Sequence, residues 1–223
     1  MTYEIMTIFA HPDDETFSTG GILAKHSKKG AKTVSVCLTY QEERIDEFEK
    51  ATKILGSKGI MLSYNSLSWN NFNEIEKELI QLLIKFKPKA VITHIPYDYH
   101  QEHRLTHKIV LEAIEWAAHT TQFGESAHLV EKLFLAETTV LIPFPQVIVD
   151  ISDVFEIKQQ AINVYQSQLG KGGPGFYSKF QTKRAELRGV QAGVKYAEAY
   201  EIELIPLIGA FKPRKYFDYL PFD

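Results

Sequence analysis

The sequence contains one cysteine, Cys37, among its 223 residues, so a disulfide cannot stabilise the fold. Such a chain suits a reducing compartment. Cys37 lies in the apolar run TVSVCLT and is expected to pack as a small core residue. No apolar run approaches the ~20 residues of a membrane span, and the N-terminus lacks the basic stretch, apolar core and cleavage site of a signal peptide. We therefore expect a cytoplasmic protein that does not bind membranes.

The chain also lacks a strong charge of either sign. Its 25 basic and 28 acidic residues leave a formal net charge of −3. This balance gives no electrostatic basis for binding nucleic acid or an anionic membrane. The phosphate-binding pattern G-x-G-x-x-G is absent after the first apolar run, which weakens a nucleotide-binding interpretation. We expect a small-molecule partner, and the sequence leaves a homo-oligomer open.

Short apolar runs alternate with helical patterns through the first half of the chain. Strands are predicted at 3–10, 31–39, 59–64 and 88–96, and helices at 20–30, 41–56, 73–87 and 102–120. Strands this apolar, separated by helices, are typical of an α/β fold with a mostly parallel sheet and helices on both faces. In such sheets, sites form at the C-terminal ends of the strands.

The pattern is looser in the second half. Strands are predicted at 131–142, 144–151 and 202–209, with a helix at 152–169 capped by Ser152, a loop or lid at 170–177 and a helix at 183–200. No repeat, low-complexity linker or change of composition divides the chain. We expect one domain over residues 1–223.

The stretch FAHPDDE, residues 9–15, places a histidine and three consecutive acids at the end of the first predicted strand. Adjacent carboxylates repel one another, so packing alone gives no reason for this arrangement. A bound cation would compensate the repulsion. A divalent metal needs nitrogen or oxygen ligands from separate chain segments, and this loop can supply a histidine and an aspartate.

A second candidate loop, HQEH at residues 100–103, follows the fourth predicted strand. It can supply another histidine, which gives a two-histidine, one-carboxylate site with open positions. Such a site suits water activation better than a structural role, because structural zinc usually has four ligands and often cysteine. His94, inside the strand, is expected to be a core histidine with its hydrogen bonds satisfied.

Either aspartate of the first loop can be the ligand. His11 and Asp13, with a distant histidine, resemble the facial triad of iron(II) oxygenases, although those enzymes carry it on an antiparallel barrel. If Asp14 is the ligand, Asp13 remains a free carboxylate beside the metal and a ready general base. We favour the second assignment because it uses every acidic group. The remaining alternatives are a helix-capping turn and a metal- or nucleotide-binding module without catalysis.

The two loops, AHPDDE and HQEH, resemble those of the PIG-L/LmbE family of metal-dependent N-deacetylases. This family includes enzymes that deacetylate N-acetylglucosaminyl conjugates on the way to bacillithiol, mycothiol and GPI anchors, and archaeal diacetylchitobiose deacetylases. The segment from Arg44 to Gly56 fits the family helix R-x-x-E-x-x-x-A-x-x-x-L-G. The later segments around AINVYQSQL and YAEAY are also similar to the family's C-terminal signatures.

The resemblance implies a Rossmann-like fold and hydrolysis of the N-acetyl group of an N-acetylglucosamine-type sugar, with release of acetate. It implies a zinc ion, or iron(II) in the cell, held by three residues: His11, Asp14 and His103. Asp13 would be the general base.

The family's second motif is usually H-P-D-H, whose first histidine stabilises the oxyanion and whose acid orients that histidine. In this chain the resemblance assigns these roles to His100 and Glu102. It also implies that Arg44 contacts the sugar, although the preceding loop lacks the glycine that the family usually has.

Overall fold

The computed structural model describes residues 3–171, 173 and 175–205. The strands in this part of the chain are β1 (Tyr3–Phe9), β2 (Thr33–Thr39), β3 (Lys58–Tyr64), β4 (Pro88–His94), β5 (Lys132–Ala136), β6 (Val147–Asp150) and β7 (Ala197–Glu203). The helices are α1 (Asp14–Lys28), α2 (Ile45–Ile54), α3 (Phe72–Phe86), α4 (Gln101–Ala117), α5 (Thr120–Phe123), α6 (Phe155–Ile162), α7 (Gln166–Leu169) and α8 (Phe176–Ala192).

The strands form one mixed sheet in the order β3-β2-β1-β4-β5-β7-β6. The first five strands in this order are parallel, whereas β7 runs antiparallel to β5 and β6. The predicted α/β fold with a mostly parallel sheet is therefore confirmed. The strand order reverses between β1 and β4, where the crossovers leave in opposite directions and open a crevice at the strand ends.

Helices cover both faces of the sheet, as predicted. On one face, α3 and α4 bury Leu79 and Ile109 against sheet residues such as Val36. On the other face, Leu23 of α1 and Ile162 of α6 belong to a second apolar cluster. Cys37 is buried in β2, which confirms its predicted place in the core. No helix in the described part of the chain is long and apolar enough to cross a bilayer.

The first helix begins earlier than predicted. α1 starts at Asp14 rather than at residue 20, so the acidic run forms its first turn. Negative charge is favourable there, because the N-terminus of a helix carries a partial positive charge. The predicted metal loop therefore stands on the end of a rigid helix.

The prediction of a single helix over 152–169 is wrong. It divides into α6 and α7, and the turn between them places Tyr165 in the core, where its hydroxyl donates to Glu15. Ser152 does not cap α6, since its hydroxyl donates to the backbone oxygen of Tyr196 instead. Contacts far apart in sequence outweigh the local helical pattern here.

The prediction of a helix at 183–200 differs from the structure at both ends. α8 spans Phe176–Ala192 and so begins inside the predicted loop of 170–177, whereas the segment YAEAY, which was predicted to be helical, lies largely in β7. Glu198 of β7 accepts hydrogen bonds from the backbone of Gly21 and Ile22 in α1. The predicted tail strand at 202–209 agrees with β7 as far as Glu203, and its residues 206–209 lie outside the described part of the chain.

Gly21 provides a test of how closely α1 packs on the sheet. A Cβ atom at this position would lie 2.6 Å from Ile151 Cγ2 and 2.8 Å from Glu198 Oε1. We expect Gly21→Ala to lower the free energy of unfolding by about 1–3 kcal/mol, despite the higher helix propensity of alanine. Urea denaturation measures the effect. Gly170→Ala is the control, since a Cβ there meets no atom within 4 Å. Equal stability of the two variants would contradict the packing described.

Candidate active site

The two predicted loops meet in one cleft at the C-terminal ends of β1 and β4. The cleft has a volume of about 350 Å³ and lies where the strand order reverses. Six of the seven site residues predicted from the sequence line it: His11, Asp13, Asp14, Arg44, His100 and His103. The seventh, Glu102, lies behind the wall of the cleft and contacts His11.

Three side-chain atoms converge in this cleft. His11 Nδ1 lies 3.2 Å from Asp14 Oδ2 and 3.2 Å from His103 Nε2. The third distance, from His103 Nε2 to Asp14 Oδ2, is 3.4 Å. Ligands at 2.0–2.1 Å from a tetrahedral zinc ion lie about 3.3 Å apart. The spacing therefore fits a divalent metal, and these residues form a candidate metal site.

Two other histidines lie close enough to be considered as ligands. The ligand atoms of His11, His100 and His103 lie within 4.8 Å of one another, as do those of Asp14, His94 and His103. His94 is unsuited to the role, because its Nε2 already accepts the backbone N–H of Ala10 at 3.0 Å.

The contacts of His94 confirm that it is a core histidine with satisfied hydrogen bonds. Its other ring nitrogen lies 3.0 Å from Thr138 Oγ1. Burial lowers the pKa of His94 to about 3, which keeps the ring neutral. The ring stacks on that of His103 with 3.9 Å between the centroids.

Asp13 is held apart from the converging atoms. Its Oδ2 accepts a hydrogen bond from Arg44 Nη1 at 3.3 Å. Asp13 has a φ of 129°, a strained backbone conformation for a residue other than glycine. Its side chain makes no capping hydrogen bond to α1, so its position does not support the simple capping turn.

Each carboxylate of the acidic run has its own compensation. Asp14 faces imidazoles and Asp13 faces Arg44, as described above. Glu15 is 1% exposed and accepts hydrogen bonds from the backbone N–H of Asp13, from Thr16 Oγ1 and from the hydroxyl of Tyr165. The crowding that the sequence presents is thus resolved by three different sets of partners.

The ionisation of the cluster follows from these contacts. Burial acts to lower the pKa of His11, but hydrogen bonds to Asp14 and Glu102 outweigh it and raise the pKa to about 10. Burial acts against ionisation of Asp14, yet His103 and His11 hold its pKa well below the usual range. Asp14 is therefore ionised, as a metal ligand must be, and a metal would compete with protons for the histidines.

The pKa of Asp13 shifts in the opposite direction. Burial and the neighbouring charge of Asp14 raise it well above the usual range, while the charge of Arg44 lowers it. A carboxyl group whose pKa is raised can hold a proton near neutral pH, which suits acid and base chemistry. The pKa values of the two adjacent aspartates thus shift in opposite directions because their neighbours differ.

Glu102 has a different partner from the one predicted. Its Oε2 accepts from His11 Nε2 at 2.7 Å, and its Oε1 accepts from the backbone N–H of Leu67 at 2.6 Å. The buried Nδ1 of His100 has no hydrogen-bond partner among the described residues. The expectation that Glu102 orients His100 is therefore corrected, since the carboxylate orients His11 instead.

Asp98 is a site residue that sequence reasoning missed. Its carboxylate accepts from the backbone N–H of His100 at 2.8 Å and lies 3.2 Å from His103 Nδ1. A carboxylate behind a ligating histidine fixes the ring and raises its basicity. An aspartate two residues before His100, in a loop after a strand, is a local turn signal that could have revealed it.

Arg44 lies in the same cleft. Its side chain lines the cleft and is buried, and its Nη1 donates to the backbone oxygen of Pro12 and to Asp13. A helix-surface arginine paired with a neighbouring acid would point elsewhere. Its contact with a sugar stays a prediction.

Comparison with known proteins agrees with this arrangement. Residues 6–114, which include both loops, match the family described as PIG-L, GlcNAc-PI de-N-acetylase. This part of the chain resembles that family. A diacetylchitobiose deacetylase of Thermococcus kodakarensis is 26% identical over 91% of this chain and 83% of its own length. A probable N-acetyl-α-D-glucosaminyl L-malate deacetylase of Bacillus anthracis is 26% identical over 49% of the chain and 58% of its own length.

Solved structures share the fold of this chain. The N,N'-diacetylchitobiose deacetylase of Pyrococcus horikoshii superposes with a TM-score of 0.76 at 26% identity, over 90% of this chain and 83% of its own. GalB of Pseudomonas putida, a 4-carboxy-2-hydroxymuconate hydratase, superposes with a TM-score of 0.79 at 21% identity, over 94% and 99% of the two chains. The second likeness concerns the fold alone, because one fold can host unrelated reactions. The likeness to the deacetylases is one of sequence as well as fold and supports a deacetylase function.

Proposed function

We propose that this protein is a metal-dependent hydrolase that removes the N-acetyl group from an N-acetylglucosamine-type sugar or conjugate. The observation that carries the proposal is the convergence of His11, Asp14 and His103 in a cleft, with the carboxylate of Asp13 on its wall but outside the converging group. The sequence similarity to sugar deacetylases supports the same reaction.

The metal would be held by His11, Asp14 and His103, with zinc as the proposed ion and iron(II) as the alternative in the cell. Such an ion, when bound, activates water and polarises a carbonyl oxygen. Glu102 accepts a hydrogen bond from the ring nitrogen of His11 that points away from the cluster, and the Asp98 carboxylate lies 3.2 Å from the corresponding nitrogen of His103. They would keep the two rings in the orientation that a metal needs.

Asp13 is the proposed general base and acid. It removes a proton from the attacking water and then delivers it to the nitrogen of the leaving amine. Without that proton the amide nitrogen is a very poor leaving group. Arg44 holds the Asp13 carboxylate toward the cleft and is the proposed contact for sugar hydroxyls.

His100 is the proposed group that stabilises the oxyanion of the tetrahedral intermediate. Its ring lies edge-on to His11, with 4.8 Å between the centroids, and it lines the cleft. Burial and the charge of His103 lower its pKa. In its neutral form one ring nitrogen still carries a proton and can donate it in a hydrogen bond to the developing negative charge.

The alternatives weighed from the sequence receive less support. An iron(II) oxygenase would need Asp13 as a ligand, but the Asp13 carboxylate is bound by Arg44 while Asp14 faces both histidines. A binding module without catalysis has no need of a free carboxylate beside the cluster. The cytoplasmic location and the oligomeric state stay predictions.

Metal analysis together with an acetate-release assay tests the proposal. We expect about one equivalent of zinc or iron per chain and release of acetate from N-acetylglucosamine or its conjugates, with activity lost on chelation and restored by metal. Metal without acetate release would indicate a binding module or a different reaction, such as an oxygenase or a hydratase. Acetate release that survives complete metal removal would contradict the proposed mechanism.

A further inference from the structure

Two tyrosines stand at the cleft without a role in the chemistry described above. Tyr99 follows β4 and Tyr177 lies in the first turn of α8, and both line the cleft that holds the candidate metal ligands. We propose that Tyr99 and Tyr177 grip the pyranose ring of the substrate and so select acetamides carried on a sugar ring over acyclic acetamides. This inference rests on the proposed deacetylase function and names the specificity residues of the same site.

Tyr99 is an exposed ring on a firmly held backbone. Tyr99 is 68% exposed, although it lies beside the largely buried side chains of the candidate metal site. Its backbone oxygen accepts a hydrogen bond from Arg104 Nη1 at 2.6 Å. The same Arg104 nitrogen also donates to the backbone oxygen of Asp98. The Tyr99 ring lies edge-on to that of His100, with 6.1 Å between the centroids. The loop that orients the catalytic histidine thus also presents an apolar surface to the cleft.

Tyr177 presents a ring that is supported from behind. It stacks on Phe17 with 5.5 Å between the centroids and 18° between the planes. Phe176 packs edge-on against it at 5.3 Å. Tyr177 and Tyr99 both line the same cleft. Phe17 and Phe176 thus support the Tyr177 ring at the cleft.

The chemistry of a pyranose fits this pair. A sugar ring has apolar C–H faces and a rim of hydroxyl groups, so it can lie against aromatic rings while its rim stays hydrogen-bonded. Tyrosine offers a large, rigid and amphipathic surface at a low cost in conformational entropy. The amide groups of Gln41 and Gln168, which also line the cleft, can bind ring hydroxyls. An acyclic acetamide would bind at the candidate metal site but would not contact the two tyrosines.

The test compares substrates with and without a ring. The zinc-loaded wild type and the variants Tyr99→Ala, Tyr177→Ala and Tyr99→Phe are assayed with N-acetylglucosamine, N,N'-diacetylchitobiose and acyclic N-acetylethanolamine. We expect each alanine variant to lower the kcat/KM ratio of sugar to acyclic substrate by about 10-fold, chiefly through KM. Tyr99→Phe keeps the ring, so it should lower this kcat/KM ratio by less than Tyr99→Ala does.

Tyr97→Ala is the matched control. Tyr97 is 44% exposed and two residues from Tyr99, but it does not line the cleft, and its hydroxyl donates to Glu201. The substrate ratio should stay at the wild-type value in this variant. Thermal unfolding of every variant identifies any that fails to fold, and Tyr99 is exposed enough to be truncated without loss of the core.

The outcomes separate this inference from the proposed function. If the wild type releases acetate but Tyr99→Ala and Tyr177→Ala keep its substrate ratio, the inference is wrong and the deacetylase function stands. If the wild type releases acetate from none of the three compounds, the proposed function is wrong for them. Calorimetric binding of N-acetylglucosamine then still decides the inference. Binding that both alanine variants weaken would support it, and binding that they leave intact would overturn it.

Discussion

Replacing Asp13 by asparagine is expected to leave the metal in place and to lower turnover by about 10²-fold or more, the scale on which loss of a general base acts. Asparagine keeps the size of the side chain and can still accept the hydrogen bond from Arg44. Asparagine and aspartate have similar backbone preferences, so the φ of 129° should be retained. Metal stoichiometry and acetate release, measured on the same preparation, check both parts of the expectation.

Asp14→Asn is the matched comparison, because it makes the same chemical change one residue away. Here the charged oxygen that faces His11 and His103 is lost. Loss of a group that only orients a metal ligand lowers metal affinity by about 10- to 100-fold. Loss of a ligand itself should lower it by more. Should Asp13→Asn lose its metal while Asp14→Asn retains it, the assignment of the two aspartates is reversed and the oxygenase-type ligand set regains support.

Lys158→Met is expected to produce the largest loss of stability. Lys158 is 1% exposed, and its Nζ donates to Glu198 Oε1 at 2.7 Å and to the backbone oxygen of Phe17 at 2.9 Å. Methionine fills similar space but leaves the Glu198 carboxylate buried without its cation. Removing one member of a buried ion pair typically costs about 3–5 kcal/mol of folding free energy. Urea denaturation of the zinc-loaded protein measures the change.

Lys183→Met is the control for this measurement. Lys183 pairs with Glu186 on the exposed face of α8, where water and salt screen the interaction. This variant should unfold at the wild-type urea concentration. If Lys158→Met does the same, the buried pair between Lys158 of α6 and Glu198 of β7 contributes no net stability.

The alternation of apolar runs and helical patterns determined the fold class from the sequence alone. Burial on both faces of a parallel sheet requires continuous apolar strands, and this requirement is visible locally in segments such as TVSVCLT. The same reasoning placed the loops of His11 and His103 at strand ends. In a parallel sheet, neighbouring strand ends must meet, so the cleft that contains both residues could be anticipated without coordinates.

Only the tertiary structure decided which partner each polar group in the cleft has. Glu102 contacts His11, 91 residues away, rather than its close neighbour His100. Tyr165 interrupts a predicted helix and reaches Glu15, 150 residues away. Sequence periodicity reports which face of an element is buried, whereas a buried polar group takes whatever partner the packing of distant elements brings within about 3 Å. That pairing depends on the whole fold, and no local pattern encodes it.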